Sequence, residues 1–230
     1  MMMAAIIICT GTDSEVKVNL SLFMAAGVRM SSYIMYWYKQ DHYGEPIQFI
    51  IKENDKPTQN YEAILNTNDN RFSLKVSKVT AQDSVTYYCA AGHSEARTVQ
   101  AIFGEGTKLT VLDRDIAEPK VKILQPSGIE TRCKKTITLV CVAENFYPDH
   151  VSITWTLGDK EIKENVATDP YATEDKKNFF RKTSRLKVSK KEFKPQNKYI
   201  CTVSMYNGTQ PIFEIAKEIN GIEGISLDVN

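Results

Sequence analysis

Cys141, Trp155 and Cys201 constrain the fold of this chain more than any other feature: the tryptophan lies 14 residues after the first cysteine, and the second cysteine lies 60 after it. The residues around them alternate. "TITLVCVA" puts Ile137, Leu139 and Cys141 on one face, and "HVSITWTL" does the same for Val151, Ile153 and Trp155. Successive side chains of a strand point to opposite sides of its sheet, so period-two stretches between turn residues are strands with one dry and one wet face. "RFSLKVSKV" repeats the pattern in the first half with Phe72, Leu74 and Val76. Few stretches carry a helical period. The expected class is all-β, with sheets packed face to face.

The cysteine–tryptophan–cysteine spacing is the immunoglobulin signature. In that fold the two cysteines bridge facing sheets and the indole packs on the sulfurs. Such a bridge closes a 60-residue loop here, which stabilises by about 4 kcal/mol in the chain-entropy view. The alternative is two buried free thiols in an unrelated β-domain. Tyr199, two before Cys201, stands where a tyrosine corner sends its hydroxyl back to the backbone. The first half repeats this grammar: Trp37 in "MYWYKQ", Cys89 52 residues later, and Tyr87 two before that cysteine. The polar stretch "VLDRDIAEP" separates the halves. Two sandwiches of ~100 residues each fit the length.

Bulk properties exclude several functions. A formal net charge of +1 gives no reason to expect nucleic acid as a partner. Hydrophobic content of 42% suits a packed core. No apolar run approaches the ~18–20 residues that span a bilayer. The longest, "MMMAAIIIC", lacks a basic flank; it reads as a partial secretory leader or as an ordinary first strand. Cys9, Cys89, Cys133, Cys141 and Cys201 form no CxxC pair, and His42, His93 and His150 stand far apart, so no metal site is expected. No GxSxG, HExxH, phosphate-loop glycine pattern or paired-carboxylate constellation occurs. The chain is expected to be no enzyme, with no catalytic residues and no cofactor.

The motifs resemble a known family. "WYKQ", "DSVTYYCA" and "FGEGTKLTVL" are similar to a T-cell receptor variable domain with its joining segment. "TLVCVAENFYPDHVSITW", then "VATDP" and "TSRLKVS", resemble the constant domain of a T-cell receptor beta chain, in a style that suggests a bony fish. The resemblance runs from about Glu15 to Gly221. It implies two immunoglobulin-like β-sandwich domains in tandem. A signal-like leader would occupy 1–13, a variable-type domain 14–113, a linker 114–118, a constant-type domain 119–222 and a tail 223–230. It further implies antigen-binding loops holding Gly27, Val28, Arg29, Ser31 and Ser32; Asn54, Asp55 and Lys56; and Gly92, His93, Ser94, Glu95 and Arg97. Tyr38, Gln40, Pro46, Tyr88 and Phe103 would form the face that pairs with an alpha-type chain. The implied ligand is peptide–MHC. Signalling subunits would join if the full gene encodes a membrane span. The family sits on the extracellular face of the plasma membrane; with no spanning segment, the chain as given reads as secreted or truncated.

The sequence also departs from that family. Leu22 stands where a cysteine should bridge to Cys89, and Cys9 is too far upstream to serve. Either Leu22 replaces the cysteine, or a stretch of the first strands is missing. Both leave Cys89 unpaired, at a cost of about 2–5 kcal/mol relative to a bridged domain. Cys133 is a second spare thiol, free or available to another chain. Asn207 and Asn19 head glycosylation sequons. "RKTSRLKVSKKEFKPQNK" carries eight basic residues among 18, but Arg185 and Lys187 alternate with Leu186 and Val188 as on a solvated strand face. Nearby "EIKEN" and "TED" offset them. A rival reading is an adhesion or innate immune receptor ectodomain built of similar sandwiches.

Overall fold

The computed structural model describes residues 3–8, 18–22, 29–58, 60–92, 101–175, 179–207 and 210–222. The chain divides between Arg114 and Asp115 into two compact units. Each is a β-sandwich.

The first unit holds β1 (Met3–Ile8), β2 (Val18–Leu22), β3 (Ile34–Gln40), β4 (Gln48–Lys52), β5 (Tyr61–Asn66), β6 (Arg71–Val76), β7 (Thr86–Gly92), β8 (Ala101–Phe103) and β9 (Thr107–Leu112). One sheet runs β1-β9-β7-β3-β4, with β8 also on β7; the other runs β2-β6-β5. The stretch read above as a leader or first strand is β1, an edge strand parallel to β9, with Met3 opposite Thr107 and Ile8 opposite Leu112. The alternation expected along β6 is present, and β3 and β7 follow the same pattern. Met35, Trp37, Phe72, Leu74, Val76, Tyr87 and Cys89 all turn into the core. Trp37 stacks on Phe72 with ring centroids 5.4 Å apart. A buried indole of this kind contributes about 4–6 kcal/mol of gross hydrophobic burial.

The second unit holds β10 (Lys120–Leu124), a short helix α1 (Gly128–Cys133), β11 (Thr136–Phe146), β12 (Ser152–Leu157), β13 (Lys160–Ile162), β14 (Val166–Thr168), β15 (Thr173–Glu174), β16 (Phe180–Ser189), β17 (Lys198–Asn207) and β18 (Gln210–Asn220). Its sheets run β10-β11-β16-β14, with β15 on β16, and β13-β12-β17-β18. Cys141 and Cys201 form the expected bridge between them, Cα atoms 6.4 Å apart. The Trp155 indole nitrogen donates to Ser184 Oγ at 3.0 Å. That hydroxyl shares a 2.7 Å bond with Thr168. Tyr199 donates its hydroxyl to the Glu192 carbonyl at 3.0 Å, the tyrosine corner read from the sequence. Ala117 exchanges two backbone bonds with Tyr147, so the end of the expected linker is tied into this unit.

Candidate recognition loops and pairing face

One end of the first sheet gathers two loops and the last residue of β7, and strand register shows why. Ile34 at the start of β3 faces Gly92 at the end of β7, and Tyr36 faces Lys52 at the end of β4. Residues 29–33 and 53–58 therefore lie at the same end of the sheet, which is also the end that β7 reaches at Gly92. Arg29, Ser31 and Ser32 are exposed there. Between them Met30 is fully buried, and its N–H donates to Asn70 Oδ1 at 2.9 Å. Sequence reasoning missed Asn70, which ties the turn between β5 and β6 to the first loop. In the second loop Asn54 takes a positive φ of 63°, and the Asp55 carboxylate accepts the Lys52 N–H at 3.1 Å. Lys56 is exposed. Glu53, at the root of this loop, has one carboxylate oxygen buried without a hydrogen-bond partner. Burial raises its pKa, partly opposed by a bond from the Met35 backbone.

Gly27, Val28, His93, Ser94, Glu95 and Arg97 lie outside the described residues. Gly92 is described, and it belongs to the base rather than the loop. It is buried in β7, where a Cβ would meet the Tyr36 ring at 3.1 Å. The base is a closed ladder: Ala90 opposite Phe103, Ala91 opposite Ile102, Gly92 opposite Ala101. "FGEG" then breaks the strand between β8 and β9. Gly106 takes φ +89°, and any side chain there would drive into the Tyr88 ring at 2.7 Å.

The outer face of the same sheet is aromatic. Tyr38 lies 5.4 Å from Phe103 and 5.7 Å from Phe49, ring to ring. Tyr36 lies 6.4 Å from Phe49. Phe49 is 55% exposed and Phe103 44%, with Ile47 exposed beside them. Pro46 is exposed too. Gln40 accepts the Tyr88 hydroxyl at 3.1 Å and donates its amide to the Glu45 carbonyl at 2.7 Å, so both its ends are held within the chain. Burial, with the neighbouring Tyr36, raises the pKa of Tyr38; burial, with Tyr43, raises that of Tyr88. Four of the five expected residues thus meet around two aromatic contacts and a hydrogen bond, and Pro46 sits on the exposed run leading into β4.

Phe49, Ile47 and Tyr36 were not foreseen. Simple alternation in "PIQFII" puts Ile47, Phe49 and Ile51 on one face. The ladder slips instead: Trp37 faces Ile51, but the next residue, Tyr38, faces Phe49. That bulge sends Ile51 into the core and Phe49 to the outside.

Residues 13–112 match the Immunoglobulin V-set domain and residues 121–207 the Immunoglobulin C1-set domain. A viral T-cell receptor beta chain-like protein of feline leukemia virus is 31% identical over 205 residues, covering 83% of this chain and 62% of that protein. The chain belongs to the T-cell receptor beta-type family of immunoglobulin-domain chains. The C region of the mouse T-cell receptor beta-2 chain is 37% identical over 94 residues, covering 40% of this chain and 54% of that region. A crystal structure of a chicken TCR superposes with a TM-score of 0.71 at 28% identity, covering 95% of this chain and 97% of that one. The beta-type chain thus spans less than two thirds of the length of these curated relatives. Its family is a class of receptors, not of enzymes. Among the described residues no cluster of metal-ligating side chains occurs. No described helix is long and apolar enough to cross a membrane.

In this beta-type chain Cys89 is a free, buried thiol and Cys133 a free, exposed one at the end of α1. Burial pushes the Cys89 pKa up, against bonds from its own backbone and that of Gly104. Asn207 ends β17 opposite Gln210, at the turn of the β17–β18 hairpin. Asn19 lies in the edge strand β2 opposite Lys75. Their side chains lie outside the description.

Proposed function

We propose that this chain is the antigen-recognising beta-type subunit of a T-cell receptor. It pairs with an alpha-type chain through the aromatic face and offers residues 29–32, 54–56 and 93–97 to a peptide held by an MHC molecule. The observation that carries this reading is the cluster of half-buried Tyr38 with exposed Phe49 and Phe103 on the outer face of the sheet that bears the loops. Rings left open to water on a sheet face are costly, and aromatic anchors of this kind dominate the energy of protein interfaces. The matched beta-type relatives favour an alpha-type occupant. Signalling subunits and a glycan at Asn207 belong to the same reading.

Co-expression with an alpha-type chain tests it. Phe49→Asp with Phe103→Asp should weaken pairing at least ~30-fold in sedimentation equilibrium, as loss of a hot spot does. Undiminished pairing would remove this face from the interface. The rival reading, an adhesion or innate receptor, predicts the same residues at 93–100 in every clone. Varied residues there would refute it.

A further inference from the structure

The basic stretch after Phe180 divides in two. Its first part lies on β16, where Arg185 pairs with Asp169 at 2.9 Å. "TED" lies there as well, with Thr173 opposite Arg181. Its second part leaves the other end of β16, where Ser189 faces Thr136. Residues 190–194 follow Ser189, and residues 132–135 lead into Thr136, so the two turns sit side by side. Lys190 N donates to the Lys135 carbonyl at 3.0 Å, and Lys190 Nζ to the Arg132 carbonyl at 3.3 Å. Arg132, Lys134, Lys135, Lys191 and Lys194 are exposed around this joint.

The acids of the two turns are already engaged. Glu130 accepts the Thr138 hydroxyl at 3.0 Å and the Lys134 ammonium at 3.6 Å. Glu192 accepts the Ser189 hydroxyl at 2.7 Å. Glu164 comes near on the strand side, because Lys187 N donates to the Asn165 carbonyl. Among the described residues no ion pair holds Arg132, Lys135, Lys191 or Lys194.

We infer that this end of the second unit binds a sulfated polysaccharide. Like charges on adjoining turns repel one another within a Debye length of about 8 Å, so a polyanion gains by neutralising several at once. A folded partner or a lipid surface would need apolar anchors as well. Phe193 is buried, so neither turn offers an exposed large hydrophobic side chain; Ile129, on the adjoining α1, is exposed beside them. A flexible, densely charged chain needs only the cations, and a receptor ectodomain meets such chains at cell surfaces.

The test uses the full chain on immobilised heparin at about 0.15 M salt. Replacing Lys134, Lys135, Lys191 and Lys194 by Gln should weaken binding at least ~10-fold and flatten its salt dependence. Replacing Lys160 and Lys163, at the two ends of β13, should change neither. Lys191→Gln and Lys194→Gln singly, each with an unchanged melting temperature, should give smaller losses in the same direction. Equal affinity and salt slope in the fourfold variant would overturn the proposal. So would a wild-type chain that ignores heparin and binds anionic phosphatidylglycerol vesicles or an acidic protein instead.

Discussion

In the second unit the core tryptophan, the corner tyrosine and the strand cysteine all have partners: Trp155 with Ser184, Tyr199 with the Glu192 carbonyl, Cys141 with Cys201. In the first, the equivalents are less well held. Among the described residues Trp37 Nε1 is buried without a hydrogen bond, the buried Tyr87 hydroxyl has only Tyr61 beside it, and Cys89 is a free thiol. Both units nonetheless form the same kind of sandwich around a fully buried indole. Alternation and apolar burial therefore suffice for the architecture. Polar satisfaction and the bridge add margin on top, since each unpaired buried group costs about 1–3 kcal/mol.

The largest effect should come from removing that margin where it exists. Reduction, or Cys141→Ala with Cys201→Ala, should destabilise the second unit by about 2–5 kcal/mol. Calorimetry should show only its transition falling. A matching fall in the first would mean that the units unfold together. The converse experiment supplies the margin where it is absent. Leu22→Cys should bridge to Cys89 and stabilise the first unit by about 2–4 kcal/mol, less any strain. Thiol titration reads the bridge directly; two remaining free thiols at those positions would show that Leu22 does not face Cys89.

A smaller contrast isolates single hydrogen bonds. Tyr199→Phe should cost about 1 kcal/mol, whereas Tyr87→Phe should cost less, because Tyr199 bonds a backbone carbonyl while the Tyr87 hydroxyl has only Tyr61 beside it. Equal costs in urea melts would mean that Tyr87 has as good a partner in solution. The smallest effect is one of pH. Burial raises the Cys89 pKa, so the fold favours the neutral thiol. The unfolded chain ionises first, near pH ~8.5. This contribution is therefore complete below that pH and is lost as pH climbs toward the raised folded value. Melts at pH 7.5 and 9.5, settings chosen to straddle the ordinary thiol value of about 8.5, should show a loss in the wild type that Cys89→Ala lacks.

Much of this was legible in the sequence. The periods of β6, β11 and β12 placed their core faces, and the spacing of Cys141, Trp155 and Cys201 gave the stapled unit. Tyr38, Tyr88 and Phe103 could be read from their motifs. Phe49 could not, because a bulge in the β3–β4 ladder is invisible to simple alternation. Asn70 could not, because it acts across 40 residues on the Met30 backbone. The basic end of the second unit was hidden for a similar reason. Its members come from two turns far apart in sequence that the Thr136–Ser189 pairing and the Lys190 bonds bring together, while the linear stretch that drew attention runs on along a strand.

The ladder from Ala90–Phe103 to Gly92–Ala101 acts as a clasp. With the ends already fastened, doubling the length of whatever hangs between them adds only ~0.6 kcal/mol of closure entropy. Tips of very different size and chemistry can thus be carried on one unchanged frame, at almost no thermodynamic penalty to the protein that bears them.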